Sequence, residues 1–265
     1  MAERNPVSLR VMTYNIRHGP GNDPEDPKLF DDYDLERVGE VIRHVDPHIV
    51  ALQEVDRLQE RSLGVDQPQA LGVLLEMERC FGANVLFKPG EYGVATLGTY
   101  PITSCENVSL PTGEGRENRG VLKASIHVPG YGSITVLNTH LQVGQPGSEG
   151  AAVEERREQA SVIGDLVSNE NGPVILMGDF NAEPGDPELA PLAFLSDPWR
   201  LAGEGGGGCT IPSHPALQPS LRIDAIYVNE GFQVISSRVV LDHPARFASD
   251  HLPVVANLEI AGWKG

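Results

Sequence analysis

Apolar and polar positions in this chain fall mostly into short β-type runs, interrupted by three helical patterns. Residues 8–16 carry β-branched side chains and predict a strand. Leu35, Val38, Val41, Ile42 and Val45 then recur at helical spacing, with Asp34 at the start and Asp46-Pro47 as the stop. Residues 48–55 read as a second buried strand and 69–79 as a second helix. From residue 84 to 141 the pattern changes to β-type runs over 85–87, 92–100, 102–110, 121–128 and 133–141. Pro129-Gly130-Tyr131-Gly132 forms a hairpin turn among them. Residues 149–168 predict a long helix, with Ala160, Ile163, Leu166 and Val167 on one face. Strands follow at 174–177, 221–228, 233–241 and 254–260, with an irregular Pro/Gly-rich stretch between the first two. Strands outnumber helices and the helices sit between them. That pattern predicts one α/β domain over residues 1–265, built on sheets packed face to face.

Composition narrows the class. A hydrophobic content of 40% supplies a substantial core. No apolar run approaches the roughly 18 residues of a membrane-spanning helix. Residues 1–10 lack the apolar segment of a secretory signal. Cys80, Cys105 and Cys209 are odd in number and widely spaced, which reads as reduced thiols in a cytoplasmic protein. The net charge of −17 opposes tight nonspecific binding to nucleic acid, which rests on Lys and Arg neutralising phosphates. A phosphate ester substrate stays compatible, because a divalent cation can supply local positive charge. Asp23, Glu25, Asp26, Asp31 and Asp32 make one loop acidic and disfavour entry of a polyanion there. The Gly203-Glu204-Gly205-Gly206-Gly207-Gly208 loop has no lysine and is no Walker-type phosphate cradle; it reads as a mobile rim or a tolerated insertion.

Polar residues then cluster where strands end. Asp179 and Asn181 follow the apolar run 174–177, and in an extended segment residues two apart face the same side. Asn15, Glu54 and His140 each close a predicted strand, Asp224 lies within one, and Asp250-His251 precedes another. Singly, each has an ordinary reading as a turn residue, a cap, a surface carboxylate or a core histidine. Jointly they are a candidate site. Their oxygen ligands suit Mg²⁺ or Mn²⁺ rather than zinc, and the histidines with Asp224 supply proton chemistry.

Six segments in order carry a resemblance: Tyr14-Asn15-Ile16-Arg17-His18-Gly19, Leu52-Gln53-Glu54-Val55-Asp56, Asn138-Thr139-His140-Leu141, Gly178-Asp179-Phe180-Asn181, Arg222-Ile223-Asp224 and Ser249-Asp250-His251-Leu252-Pro253-Val254. From about residue 8 to 258 the chain resembles the endonuclease/exonuclease/phosphatase superfamily. The resemblance implies a four-layered α/β sandwich, two mixed β-sheets packed face to face with helices outside. It also implies a metal-dependent phosphoric ester hydrolase with Mg²⁺ as cofactor and Mn²⁺ as substitute. By position, Asn15, Glu54 and Asp250 would hold the ion. Asp179 would activate water, Asn181 would place it, and His140, Asp224 and His251 would complete the catalytic set. Arg119 resembles a phosphate-contacting arginine, and Arg17 is a second substrate-binding candidate. Where the apurinic endonucleases carry an acid this chain has Arg17, which argues against abasic-DNA repair. The expected activity is a phosphodiesterase or phosphomonoesterase; the alternatives are a nuclease, or a silent binding protein of the same fold.

Overall fold

Alternation along the strands decides the layers. In β1 (Val7–Asn15) Leu9 and Val11 face one side, Met12 and Tyr14 the other, and all four are buried. In β2 (Ile49–Arg57) Ile49 and Ala51 join the first group, Val50 and Leu52 the second. In β7 (Gly132–His140) Ile134 and Val136 face the same shared core, and in β8 (Val174–Asp179) Ile175 and Met177 do so. The opposite faces of β7 and β8 bury Leu137, Val174 and Leu176 under the helix α3 (Glu149–Ser168). The outer face of β1 and β2 is covered by α1 (Leu35–Val45) and α2 (Gln67–Leu75). Helices, sheet, sheet and helices therefore stack in four layers, and both sheets have apolar side chains on each face. The computed structural model describes residues 6–21, 33–144, 147, 149–205, 207–214, 217–242 and 244–260.

The remaining strands are β3 (Glu78–Leu86), β4 (Glu91–Gly98), β5 (Ile102–Ser109), β6 (Gly120–Val128), β9 (Asp224–Val228), β10 (Phe232–Val239) and β11 (Val254–Ile260). One sheet has the order β10-β11-β1-β2-β4-β3, the other β5-β6-β7-β8-β9. Each contains one parallel pair, β1 with β2 and β7 with β8, and is otherwise antiparallel. A parallel pair needs a crossover; α1 and α3 supply these two. Ligands of open α/β sheets gather beyond the carboxyl ends of such strands. Those ends are Asn15, the segment around Glu54, His140 and Asp179.

Three expectations change. The second helix runs Gln67–Leu75 and stops at Glu76, whose φ of 55° is left-handed. Residues 78 and 79, read from sequence as helix, open the strand β3. β3 is an edge strand with Glu78 and Arg79 exposed, so it lacks the alternation that marks a half-buried strand. The thiols of Cys80 and Cys105 are joined in a disulfide with Cα atoms 6.2 Å apart. β3 and β5 are the edges of their respective sheets, and stacking the sheets brings the two cysteines together. No local spacing could show this, and the pairing removes the ground on which the cytoplasmic reading stood. The glycine loop is anchored at its two ends, where a Cβ on Gly203 or on Gly208 would lie 2.6 Å from Trp199, while Gly205 between them is exposed with nothing within 4 Å. The acidic positions 23, 25, 26, 31 and 32 lie outside the described residues. No helix among the described residues is long and apolar enough to cross a membrane.

Candidate active site

Strand parity explains which side chains meet. Asn15 shares the parity of Leu9 and Val11, His140 that of Ile134 and Val136, and Asp179 that of Ile175 and Met177. All three continue the face between the sheets to the point where the strands end. Asp224 pairs with Asp179 across the antiparallel β8–β9 ladder, so it opens β9 at the same end. Asp250 and His251 precede β11, which runs antiparallel to β1.

Glu54 breaks the parity. Alternation would send Gln53 to the shared face and Glu54 outward beneath the helices. Instead the β2–β4 register breaks between the pairs Leu52–Ala95 and Val55–Gly93, and Glu54 takes a left-handed φ of 57°. This bulge turns the carboxylate toward Asn15, whose Nδ2 donates to Glu54 Oε1 at 3.0 Å. Left-handed backbone costs a non-glycine residue about 1 kcal/mol or more, and such strain gathers at functional positions.

Asp179 Oδ2 is the point of convergence. Asn15 Nδ2 donates to it at 3.0 Å, His140 Nε2 lies 3.5 Å away and His251 Nε2 3.8 Å away. Its other oxygen accepts from the backbone N–H of Asn181 at 2.9 Å. Behind His251, Asp224 Oδ2 stands 2.8 Å from Nδ1, and Thr210 Oγ1 donates to the same oxygen at 2.6 Å.

Burial and charge set the protonation states. Burial first, and the Asp224 carboxylate second, push Asp179 up from 3.8 to about 7. Glu54 is raised as well, chiefly by burial, against the lowering effect of its Asn15 hydrogen bond. Burial would keep His251 neutral, but the charge and hydrogen bond of Asp224 outweigh it and hold the ring well above its ordinary value. His140 falls well below its ordinary value, through burial and then the positive charge of Arg119 and His251. The two imidazoles are thus pushed apart, His251 toward the cationic form and His140 toward the neutral one.

The donor set fits a hard cation. Two carboxyls, Glu54 and Asp179, stand above their ordinary range on either side of one amide nitrogen, a place short of positive charge. Asp179, Asp224 and His251 also lie close enough together to hold a metal. That second cluster is the poorer candidate, because Asp224 Oδ2 is engaged by Thr210 and His251, and a cationic His251 repels a metal. The amide side, Asn15 with Glu54, is the better one. Asn15 Oδ1 accepts from Arg17 N at 3.0 Å, and a turn of the amide brings this oxygen to face the two carboxylates.

Every residue singled out from the sequence except the two arginines and Asp250 enters this hydrogen-bonded or charge-paired cluster directly. Asp250 adjoins it through Ser249, whose hydroxyl donates to the Asn15 carbonyl at 2.7 Å while its oxygen lies 3.3 Å from Asp250 Oδ1. Arg17 Nε faces Asp250 Oδ2 at 3.6 Å. Arg119 pairs with Glu117 at 2.9 Å; the arginine is buried, and its partner carboxylate is 40% exposed. Asp224 leaves Arg222 to Asp197, 2.6 Å away. Asn181 differs from expectation. Its φ of 48° ends the extended geometry, so it meets Asp179 through its backbone N–H while its side-chain Nδ2 donates to the Leu141 carbonyl at 3.0 Å. Thr210 and Ser249 escaped sequence reasoning. Thr210 sits beyond the glycine loop with no pattern to mark it, whereas Ser249 directly precedes Asp250-His251.

Fold and site together define a class: a four-layered α/β sandwich with an acid, amide and histidine cluster at the carboxyl ends of its two parallel strand pairs. The chain belongs to the endonuclease/exonuclease/phosphatase family, whose model matches residues 12–251. A solved endonuclease/exonuclease/phosphatase from Beutenbergia cavernae is 29% identical, with a TM-score of 0.78 over 96% of this chain and 72% of that one. The uncharacterized Escherichia coli protein YbhP is 28% identical over 96% of this chain and 97% of its own length. The mannosyl-6-phosphatase Bt3783 of Bacteroides thetaiotaomicron shares the fold at 19% identity and a TM-score of 0.71, covering 94% of this chain and 99% of that one. Members of the family are hydrolases of phosphate esters that generally use divalent metals.

Proposed function

We propose that this chain is a Mg²⁺-dependent phosphoesterase in which water attacks a phosphodiester or phosphomonoester in line. One observation carries the reading: Asn15, His140 and His251 converge on Asp179 Oδ2 while Asp224 holds His251 from behind. Asn15 and Glu54, with Asp250, are the residues that would hold the ion, and Mn²⁺ would substitute. When bound, the cation supplies positive charge against the phosphoryl oxygens. Asn181 N–H fixes one Asp179 oxygen, which leaves Oδ2 to orient the water and accept its proton. The Asn181 amide, held to the Leu141 carbonyl through its Nδ2, is the group that would place that water. His251, cationic beside Asp224, stabilises charge on the scissile phosphate and is the proton source for the leaving oxygen. His140 stays neutral and donates a hydrogen bond to a phosphoryl oxygen. Arg119 and Arg17 are the outer phosphate contacts.

The net charge of −17 favours a small ester over a long nucleic acid. Sugar phosphates enter as candidates through the mannosyl-6-phosphatase that shares the fold. The nuclease alternative stays in view because the family includes nucleases as well as phosphatases, and the Caenorhabditis elegans TDP2 shares the fold at 20% identity and a TM-score of 0.68. The test is a panel of p-nitrophenyl phosphate, bis-p-nitrophenyl phosphate, hexose phosphates, inositol phosphates, sphingomyelin and short DNA, assayed with Mg²⁺, Mn²⁺ and EDTA. Hydrolysis that stops in EDTA and returns with Mg²⁺ is expected. Full activity in EDTA would overturn the metal assignment, and no turnover across the panel would overturn the reading as a phosphoesterase.

A further inference from the structure

Two members of the sequence motifs have no part in the chemistry above: Gln53, next to Glu54, and Asn138, two residues before His140. Both are fully buried between the sheets, as is Thr13, two residues before Asn15. Their surroundings are aliphatic, with Val11, Ala51, Val136 and Met177 in the same layer. Amides buried in such a layer are costly unless every donor finds a partner, and these do. Gln53 Nε2 lies 2.8 Å from Asn138 Oδ1, 3.1 Å from Thr13 Oγ1 and 3.2 Å from the Ala51 carbonyl. Asn138 Nδ2 donates to the Ala95 carbonyl at 2.8 Å and the Leu52 carbonyl at 3.1 Å.

The position of those two carbonyls is the informative part. Leu52–Ala95 is the last regular pair of the β2–β4 ladder before the register breaks at Glu54. A side chain from the opposite sheet thus grips both strands of the bulge at its base. The same side chain sits on β7, whose end carries His140 and which pairs in parallel with β8, whose end carries Asp179. We propose that Asn138, seated on Gln53, is a positioning residue: it fastens the β7–β8 half of the site to the bulge that aims Glu54, and so sets the spacing of Asn15 and Glu54 from His140 and Asp179. The link to catalysis rests on the phosphoesterase reading; the link to geometry does not.

Three variants test it: Asn138→Leu, which keeps the volume and loses all three bonds; Asn138→Asp, which loses the two donors to the bulge; and Val136→Ala, a packing control in the same layer. The crystal structure of Asn138→Leu or of Asn138→Asp, whichever folds, should show Glu54 released from its left-handed backbone and the Asn15–Asp179 contact lengthened. Val136→Ala should retain both. Mg²⁺ binding by calorimetry should weaken at least tenfold in the Asn138 variants, and kcat/KM on an active ester should fall at least a hundredfold, mostly in kcat. The double variant Gln53→Leu/Asn138→Leu removes both buried amides from the aliphatic layer, so it should recover melting temperature without recovering Mg²⁺ affinity. Unchanged Glu54 geometry in the variants, or Mg²⁺ affinity and kcat/KM within twofold of Val136→Ala, would overturn the proposal. An inactive wild type would count against the phosphoesterase reading alone, since the backbone at Glu54 is read without substrate or metal.

Discussion

At the scale of single residues the site is built from conflict. Asp179 is buried beside a second carboxylate, and its pKa of about 7 lies above the 3.8 of an unperturbed aspartate. A raised folded value means the folded state holds the proton more tightly. This group's contribution to stability is therefore full below about pH 4 and is lost as pH climbs through 7. Asp179→Asn should raise the melting temperature of the metal-free protein at pH 8 by about 3 °C, the shift that about 1 kcal/mol gives in a domain of this size. At pH 4 the effect should be near zero. The same variant should lower turnover by about three orders of magnitude, the scale of losing a catalytic base. Scanning calorimetry at the two pH values, with phosphoesterase rates, checks both; a variant less stable at pH 8 than wild type contradicts the account of the strain. The residues of this cluster were legible in the sequence because polar types at strand ends have few ordinary reasons to recur. Their contacts were not. The backbone turn at Asn181 and the Thr210 hydroxyl on Asp224 arise from chain geometry that residue identity does not carry.

At the scale of elements, alternation and capping signals placed most strands and the helix Glu149–Ser168, and they failed where a strand lies at an edge or bends. The bulge in β2 is the instructive case. Period-two reasoning turns Glu54 toward the helices, and only the broken register returns it to the site. Since φ at Glu54 is 57°, glycine suits the backbone there better than glutamate does. Glu54→Gly should leave stability unchanged or raise it by up to about 1 kcal/mol, while Mg²⁺-dependent activity falls at least a hundredfold. Urea unfolding and a Mg²⁺ titration test this, and a strongly destabilised variant contradicts the reading of strain. Gly178 has the opposite logic. A Cβ there would lie 2.2 Å from the Thr139 carbonyl, in the parallel ladder beneath Asp179. Gly178→Ala should cost about 1–3 kcal/mol as overpacking does, and should displace Asp179 as well. A melting temperature equal to wild type would show that the ladder yields more easily than this spacing implies.

At the scale of the whole molecule, two sheets share one site, and at the side of β3 and β5 the chain crosses the gap between them through residues 99–101. The Cys80–Cys105 disulfide links β3 to β5 across that gap, closing a loop of sequence separation 25. Chain entropy alone gives such a loop about 3.5 kcal/mol. Cys105→Ser should lower the melting temperature, and dithiothreitol should do the same to wild type and nothing further to the variant. Equal melting temperatures for wild type with and without reductant would contradict the staple. Nothing in the sequence announced it, because the two cysteines meet only through sheet packing.

The strand order has a consequence in time as well as space. β11 lies between β10 and β1, and β1 is made well before it. Asp250 and His251 enter the site on the approach to that same strand. On a ribosome, where residues emerge one by one, β1 must wait with an open edge until β11 arrives. A nascent chain lacking β11 thus leaves the backbone edge of β1 open to pairing with other strands. Among the described strands the one that covers this edge of β1 is thus also the one that fixes where Asp250 and His251 lie.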